Sequence, residues 1–210
     1  MSTPTAKQSR ARRQVSVPEG KSGHWSVRKF VVTKDQANLD AVLSLGRGSA
    51  RVTPAGSYTG LYRGSGGFET VVMSDTPDEW RDHSCFIRHA RGHVLIAGLG
   101  LGMVLQAVAE RPEVESVTVV EKSEDVLMLT AAHYLKQFPS KVVIHHADIF
   151  TWKPTLPPTR FDCAWFDIWD SLCLDNLDEM ATLNRRFARW CSDKQSWGRE
   201  LLLSRRRRGR

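Results

Sequence analysis

The pattern of apolar and polar positions changes near residue 92. Downstream of it, compact apolar runs alternate with segments of helical period. Strands are expected at Val94–Ala97, Ser116–Glu121, Lys141–His145 and Asp162–Phe166. Their near-continuous apolar character is that of strands buried on both faces. Helices are expected at Met103–Arg111 and Glu124–Leu135, with a shorter link through Thr151–Thr159. Short buried strands joined by helices imply a parallel sheet with right-handed crossovers. An amphipathic helix over 176–190 is expected to close the ordered part.

Upstream the rhythm is shorter. His24–Val32 alternates as a strand. A helix follows, with Thr33 and Gln36 at capping-box spacing, an apolar stripe of Leu39, Val42 and Leu43, and Gly46 placed to end it. Thr59–Tyr62 and Glu69–Met73 read as a glycine-punctuated hairpin. The next helix has Thr76 as N-cap, Pro77 at the first turn and Glu79 closing a capping box. Its buried face runs through Trp80, His83, Cys85 and Phe86–Ile87, and Gly92 is its expected stop. The expected organisation is a disordered basic tail over 1–23, a strand, helix and hairpin region over 24–75, a cofactor-binding domain over 76–192 and a basic tail over 193–210.

Charge sharpens that division. The net charge is +7, yet residues 1–30 carry +6 and 199–210 carry +5, which leaves the body at −4. The terminal arginines can meet a polyanion such as nucleic acid without reading its sequence; otherwise they are a solvated tail. No apolar run of spanning length and no secretory h-region occurs, so a cytoplasmic protein that avoids the membrane is expected. The four cysteines, Cys85, Cys163, Cys173 and Cys191, lack CxxC spacing and read as reduced, mostly buried thiols. His145 and His146 are neighbours on a strand and point to opposite faces, so no metal site is expected.

The candidate chemistry gathers where parallel strands end. Gly98, Gly100 and Gly102 follow the first strand. Their missing side chains either admit a ligand against the backbone or allow tight strand-to-helix packing. Glu121 ends the second strand, 21 residues after Gly100, near the spacing of an acid that holds ribose hydroxyls. Asp148 follows the third strand, and Asp167 and Asp170 follow the fourth. A dinucleotide fingerprint needs a small residue at position 103, where this chain has Met103. Trp165 and Trp169 flank the fourth-strand end, as packing residues or as a stacking surface.

Over Val94–Asp170 the chain resembles the S-adenosylmethionine-binding half of class I methyltransferases. The motifs that carry it are "VLIAGLGLG", "VTVVEKSEDV", "HHADIF" and "FDCAWFDIWD". The last is also similar to the strand-four D-x-x-D of polyamine (spermidine) synthases, which share the fold. The resemblance implies an α/β fold: a Rossmann-like parallel sheet of the class I methyltransferase type, C-terminally shortened, with an N-terminal β-hairpin region. It implies S-adenosylmethionine as cofactor. The binding set would be Gly98, Gly100 and Gly102 at the methionine part, Glu121 at the ribose, Asp148 at the adenine and Asp167 at the amine or acceptor, with Leu99, Lys122 and Ile149 as further cofactor-binding residues. Asp167 and Asp170 would be the catalytic pair. The implied activity is methyl transfer to an unassigned acceptor. The alternatives are aminopropyl transfer, or an inactive scaffold that binds through its basic tails. The glycine loop departs from the polyamine synthases in carrying Leu99 and Leu101 and no acid. Acceptor-specific patterns are missing: there is no Asp/Asn-Pro-Pro-aromatic segment, no Pro-Cys nucleophile, and no lysine after Asp167 before Lys194. The strands missing after the fourth would be supplied by the N-terminal strands or by a partner chain, as in a homodimer.

Overall fold

Alternation along the buried strands sets the layers of the molecule. A computed structural model describes residues 14–44, 52–65, 68–155 and 160–209. In order, the elements are β1 (Gly20–Ser22), β2 (Trp25–Val32), α1 (Lys34–Ser44), β3 (Gly56–Ser65), β4 (Phe68–Ser74), α2 (Pro77–His89), β5 (Gly92–Ala97), α3 (Met103–Ala109) and β6 (Val114–Glu121). They continue with α4 (Glu124–Gln137), β7 (Val142–His146), β8 (Phe161–Phe166), α5 (Asn176–Arg186), β9 (Cys191–Ser196) and α6 (Arg199–Arg208). Strands β5 to β9 form a parallel sheet in the order β7-β6-β5-β8-β9. Val94, Ile96, Val117, Val119, Cys163 and Trp165 face one core, and Leu95, Ala97, Ala164 and Phe166 face the other. The chain leaves β7 at one edge and re-enters at β8, beside β5. The strand order therefore reverses between β5 and β8, which opens a crevice at their C-terminal ends.

The four strands β1 to β4 form a separate antiparallel sheet. It joins the same core as the first face of the parallel sheet through Val27 and Leu61, and the segment before β1 adds Val15 and Val17. Asp75, at the exit from β4, is buried and accepts the backbone N–H groups of Val15 and Thr59, so it ties the N-terminal segment to the hairpin.

Several expectations change here. Residues 14–23 are built in, with Val15 and Val17 buried and β1 formed, because valines two apart present one apolar face. Residues 1–13 lie outside the described part. The stretch over 193–210 is no bare tail: β9 pairs with β8 as a fifth parallel strand, and α6 follows it. The chain itself thus supplies the strand after β8, while the N-terminal strands keep to their own sheet. In α6, Leu202 is buried against Leu177 and Met180. Arg205–Arg208 are exposed in its last turn, where cations favour the helix dipole.

The capping box of α1 forms as expected, with Thr33 and Gln36 exchanging hydrogen bonds, but Leu39, Val42 and Leu43 are exposed. The helix buries Ala37 instead; Gly46 lies outside the described residues. At α2 the cap is different. The Thr76 hydroxyl pairs with Ser74 and makes no bond to the helix, and Glu79 borders the interior crevice. Of the cysteines, Cys163 and Cys191 are buried thiols and Cys85 and Cys173 are exposed.

Candidate functional site

The glycine loop after β5 is the first wall. Gly98, Gly100 and Gly102 have φ of +93°, +50° and +72°, which only glycine adopts without strain. Protein fills the room left by each missing side chain. A Cβ at Gly98 would overlap the backbone carbonyl of Asp167, one at Gly100 the Met73 thioether, and one at Gly102 the Tyr134 ring. Tyr134 also donates its hydroxyl to the Leu101 carbonyl at 2.6 Å. Gly102 is therefore a packing glycine at the start of α3, away from the crevice.

The loop amides are committed in the same way. Of the five from Gly98 to Gly102, four donate inside the protein: Gly98 to Val120 O, Leu99 to Glu121 Oε2 at 2.7 Å, Leu101 to Met73 Sδ at 3.1 Å, and Gly102 to Leu99 O. A pyrophosphate cradle needs such amides free and pointing outward.

The carboxylates come next. Glu121 accepts from Leu99 N–H with one oxygen and from Ser123 N–H with the other, 2.7 Å each, so it pins the glycine loop to the start of α4. Each oxygen keeps a lone pair for a further donor. Asp148 pairs with Lys122 at 2.8 Å and accepts the Phe150 amide. The Lys122 hydrogen bond holds it below the ordinary carboxylate range. Asp170 pairs with Arg63 of β3 at 2.6 Å, which ties the end of β8 to the N-terminal sheet.

These groups line one cavity of about 410 Å³ between the two sheets. Gly98, Leu99, Gly100, Glu121, Lys122, Asp148, Ile149, Asp167 and Asp170 all border it; Gly102 does not. Trp165 is buried and stacked on Phe86 at 5.0 Å, yet it reaches the cavity wall. Trp169 donates its indole N–H to Glu179, which also lines the cavity. The two lining cations other than histidine, Arg63 and Lys122, are each in an ion pair. The acids Glu79, Glu121, Asp167 and Glu179 make the wall carboxylate-rich.

Buried in that wall is His83 of α2. Its side chain is 2% exposed, with Nδ1 at 3.7 Å from Asp167 Oδ2 and Nε2 at 3.9 Å from Glu79 Oε2. Burial depresses its pKa to about 4, against the attraction of Asp82. Asp167, 20% exposed, moves the opposite way, pushed up to about 7 by the same burial. The two shifts oppose each other in the stability of the fold. Asp167 binds more protons folded than unfolded between pH 3.8 and about 7, so its contribution is present at low pH and fades as pH rises. His83 binds fewer protons folded between about pH 4 and 6.5, so its contribution is lost as pH falls. Relative to wild type, Asp167→Asn should therefore make stability rise more steeply with pH across that window. His83→Leu should make it fall more steeply. Urea unfolding at half-unit pH steps reads both slopes; parallel pH profiles for all three proteins would contradict the assignment.

The strand order, the reversal between β5 and β8 and the acids at the strand ends agree with the architecture expected from the sequence. The fold is a Rossmann-like parallel α/β sheet with an N-terminal antiparallel sheet. No family model matches the sequence, and no curated protein does. Among solved structures, the CcbJ methyltransferase from Streptomyces caelestis is similar at 26% identity and TM-score 0.41, over 55% of this chain and 46% of that one. The N-methyltransferase NodS from Bradyrhizobium japonicum WM9 is similar at 17% identity and TM-score 0.44, over 55% and 64%. The N-terminal domain of EvdMO1, determined with SAH and D-fucose, is similar at 22% identity and TM-score 0.40, over 57% and 48%. The chain thus spans less than two thirds of the length of each of these neighbours.

Sequence reasoning missed wall residues on both sides of the glycine loop: Glu179 and Trp197 downstream of it, and upstream of it Trp25, Arg63, Met73, Glu79 and His83. A signal existed only for the last two, four apart on one helix, where Glu79 was assigned to a cap and His83 to the core. Among the described residues no helix is long and apolar enough to cross a membrane.

Proposed function

We propose that this chain binds S-adenosylmethionine in the cavity between its sheets and transfers the sulfonium methyl group to a nucleophilic acceptor. One observation supports this above the others: four of the five glycine-loop amides donate inside the protein while the surrounding wall is rich in carboxylates. Such a wall repels a pyrophosphate and suits a cationic sulfonium. Glu121 has lone pairs left for ribose hydroxyls, and Asp148 would accept from the adenine amine. The bound sulfonium would supply the activated carbon. The chain would supply alignment, exclusion of water and a proton acceptor at Asp167.

A second reading is aminopropyl transfer from the decarboxylated cofactor. Both non-histidine cations of the wall are already in ion pairs, which leaves the α-carboxylate of S-adenosylmethionine without a cationic partner there. The decarboxylated form has no such group. Thermal unfolding with each ligand separates the two readings. At about 100 times its dissociation constant the true cofactor adds roughly 2.7 kcal/mol of stability. Methyl transfer predicts a shift with S-adenosylmethionine at least equal to that with its decarboxylated form. A shift with the decarboxylated form alone moves the assignment to aminopropyl transfer, and no shift with either removes both.

The exposed arginines of α6 add a separate contact for polyanions. Deleting Arg205–Arg210 should weaken retention on a nucleic-acid column and flatten its salt dependence. Unchanged retention would dismiss that role.

A further inference from the structure

The proton side of the reaction is left open by the cofactor reading, and the most unusual group in the cavity bears on it. His83 Nδ1 has no hydrogen-bond partner among the described residues, although its side chain is 2% exposed. A buried polar atom without a partner costs stability unless it serves a purpose. The ring stands edge-on to Trp165 at 5.5 Å, which fixes its plane. In that plane Nδ1 is turned to Asp167 and Nε2 to Glu79. The charged groups around it are Glu79 and Asp82 on α2 and Asp167 beyond β8.

We propose that His83 is a positioning residue for Asp167, and that the imidazole and the carboxyl share one proton between Nδ1 and Oδ2. The proposal rests on the transfer reading above. In the resting site the proton sits on Asp167 and the imidazole is neutral, as burial favours for both groups. During transfer the acceptor's lone pair forms a bond to the sulfonium carbon, and the C–S bonding pair returns to sulfur. The shared proton moves from Oδ2 to Nδ1, and Asp167 takes the proton that the acceptor loses. The positive charge that leaves the sulfonium ends on the imidazolium, beside the carboxylates of Glu79 and Asp82. Charge and protons balance, and no further reactant is needed. The gap of 3.7 Å has to close by roughly 1 Å for the shared hydrogen bond to form.

The test reads the pair without an acceptor. Carbon-13 NMR of carboxyl-labelled aspartate in the full chain, assigned with Asp167→Asn, follows the Asp167 titration near pH 7. In His83→Gln the amide can donate to the carboxylate, so the midpoint should fall by about one unit. An unchanged midpoint would make His83 a packing residue and overturn the proposal. If His83→Gln does not fold, nitrogen-15 spectra of wild type and Asp167→Asn replace it. The Nδ1 resonance of His83 should move when the carboxyl is lost, and a fixed resonance overturns the sharing. Calorimetry with S-adenosylmethionine separates this from the cofactor reading. His83→Gln should still bind it saturably. Binding lost only in that variant makes His83 a cofactor ligand and defeats the positioning role. Failure of wild type to bind defeats the cofactor reading, while the NMR result still decides the proton sharing.

Discussion

Glu121→Ala should lose the ligand and loosen the fold together. The carboxylate holds Leu99 N–H and Ser123 N–H, so its removal leaves the glycine loop unpinned from β6 and from the start of α4. Hydrogen bonds to a charged group contribute about 1.5–3 kcal/mol each. With water partly replacing the lost oxygens, a net cost of about 2–4 kcal/mol in unfolding free energy is expected. Cofactor affinity should drop by at least about 100-fold, since the ribose partner and the loop geometry go together. Urea unfolding and calorimetry on the same preparation read the two effects. Unaltered affinity in a destabilised protein would restrict Glu121 to a structural role. Unaltered stability would contradict the bonds that place it.

The second large effect belongs to Gly98. At φ +93° an alanine is strained, and its Cβ would overlap the Asp167 carbonyl oxygen, which is backbone and cannot swing away. The backbone of the same residue is also held by the bond from Asp167 N–H to Ala97 O at 2.9 Å. Gly98→Ala should therefore cost about 3–5 kcal/mol, or prevent folding. Gly209→Ala is the control. There φ is −91° and the nearest neighbour of an added Cβ is 3.6 Å away, so chemical denaturation should show a change within about 0.5 kcal/mol. Equal stability of the two variants would mean that β5 and β8 do not close on each other as described.

The contrast between Gly98 and Gly102 shows what the sequence made legible. Four parallel strands could be read because their residues are mostly apolar, and the acids at their ends could be read because a strand's end follows from its pattern. The glycine spacing marked a bare backbone but could not say what lies against it. The answer is three protein groups, Asp167 O, Met73 Sδ and Tyr134, and all three come from distant segments. β9 was invisible for a related reason. "CSDKQS" has no apolar alternation and buries only Cys191 and Ser196, and it is a strand because β8 offers it an open edge. His83 carried a helical-face signal that fits a core residue equally well. Only the fold reveals that the face it occupies opens onto Asp167.

The account as a whole depends on an adenosyl sulfonium, and not a dinucleotide, filling the space beside Gly100. Isothermal titration of the full-length chain with S-adenosylmethionine and, in the same buffer, with NAD measures that preference directly. Saturable binding of one equivalent of S-adenosylmethionine with no heat from NAD is the predicted result. Saturable binding of NAD with none of S-adenosylmethionine would contradict the reading of the loop amides and of the carboxylate wall alike.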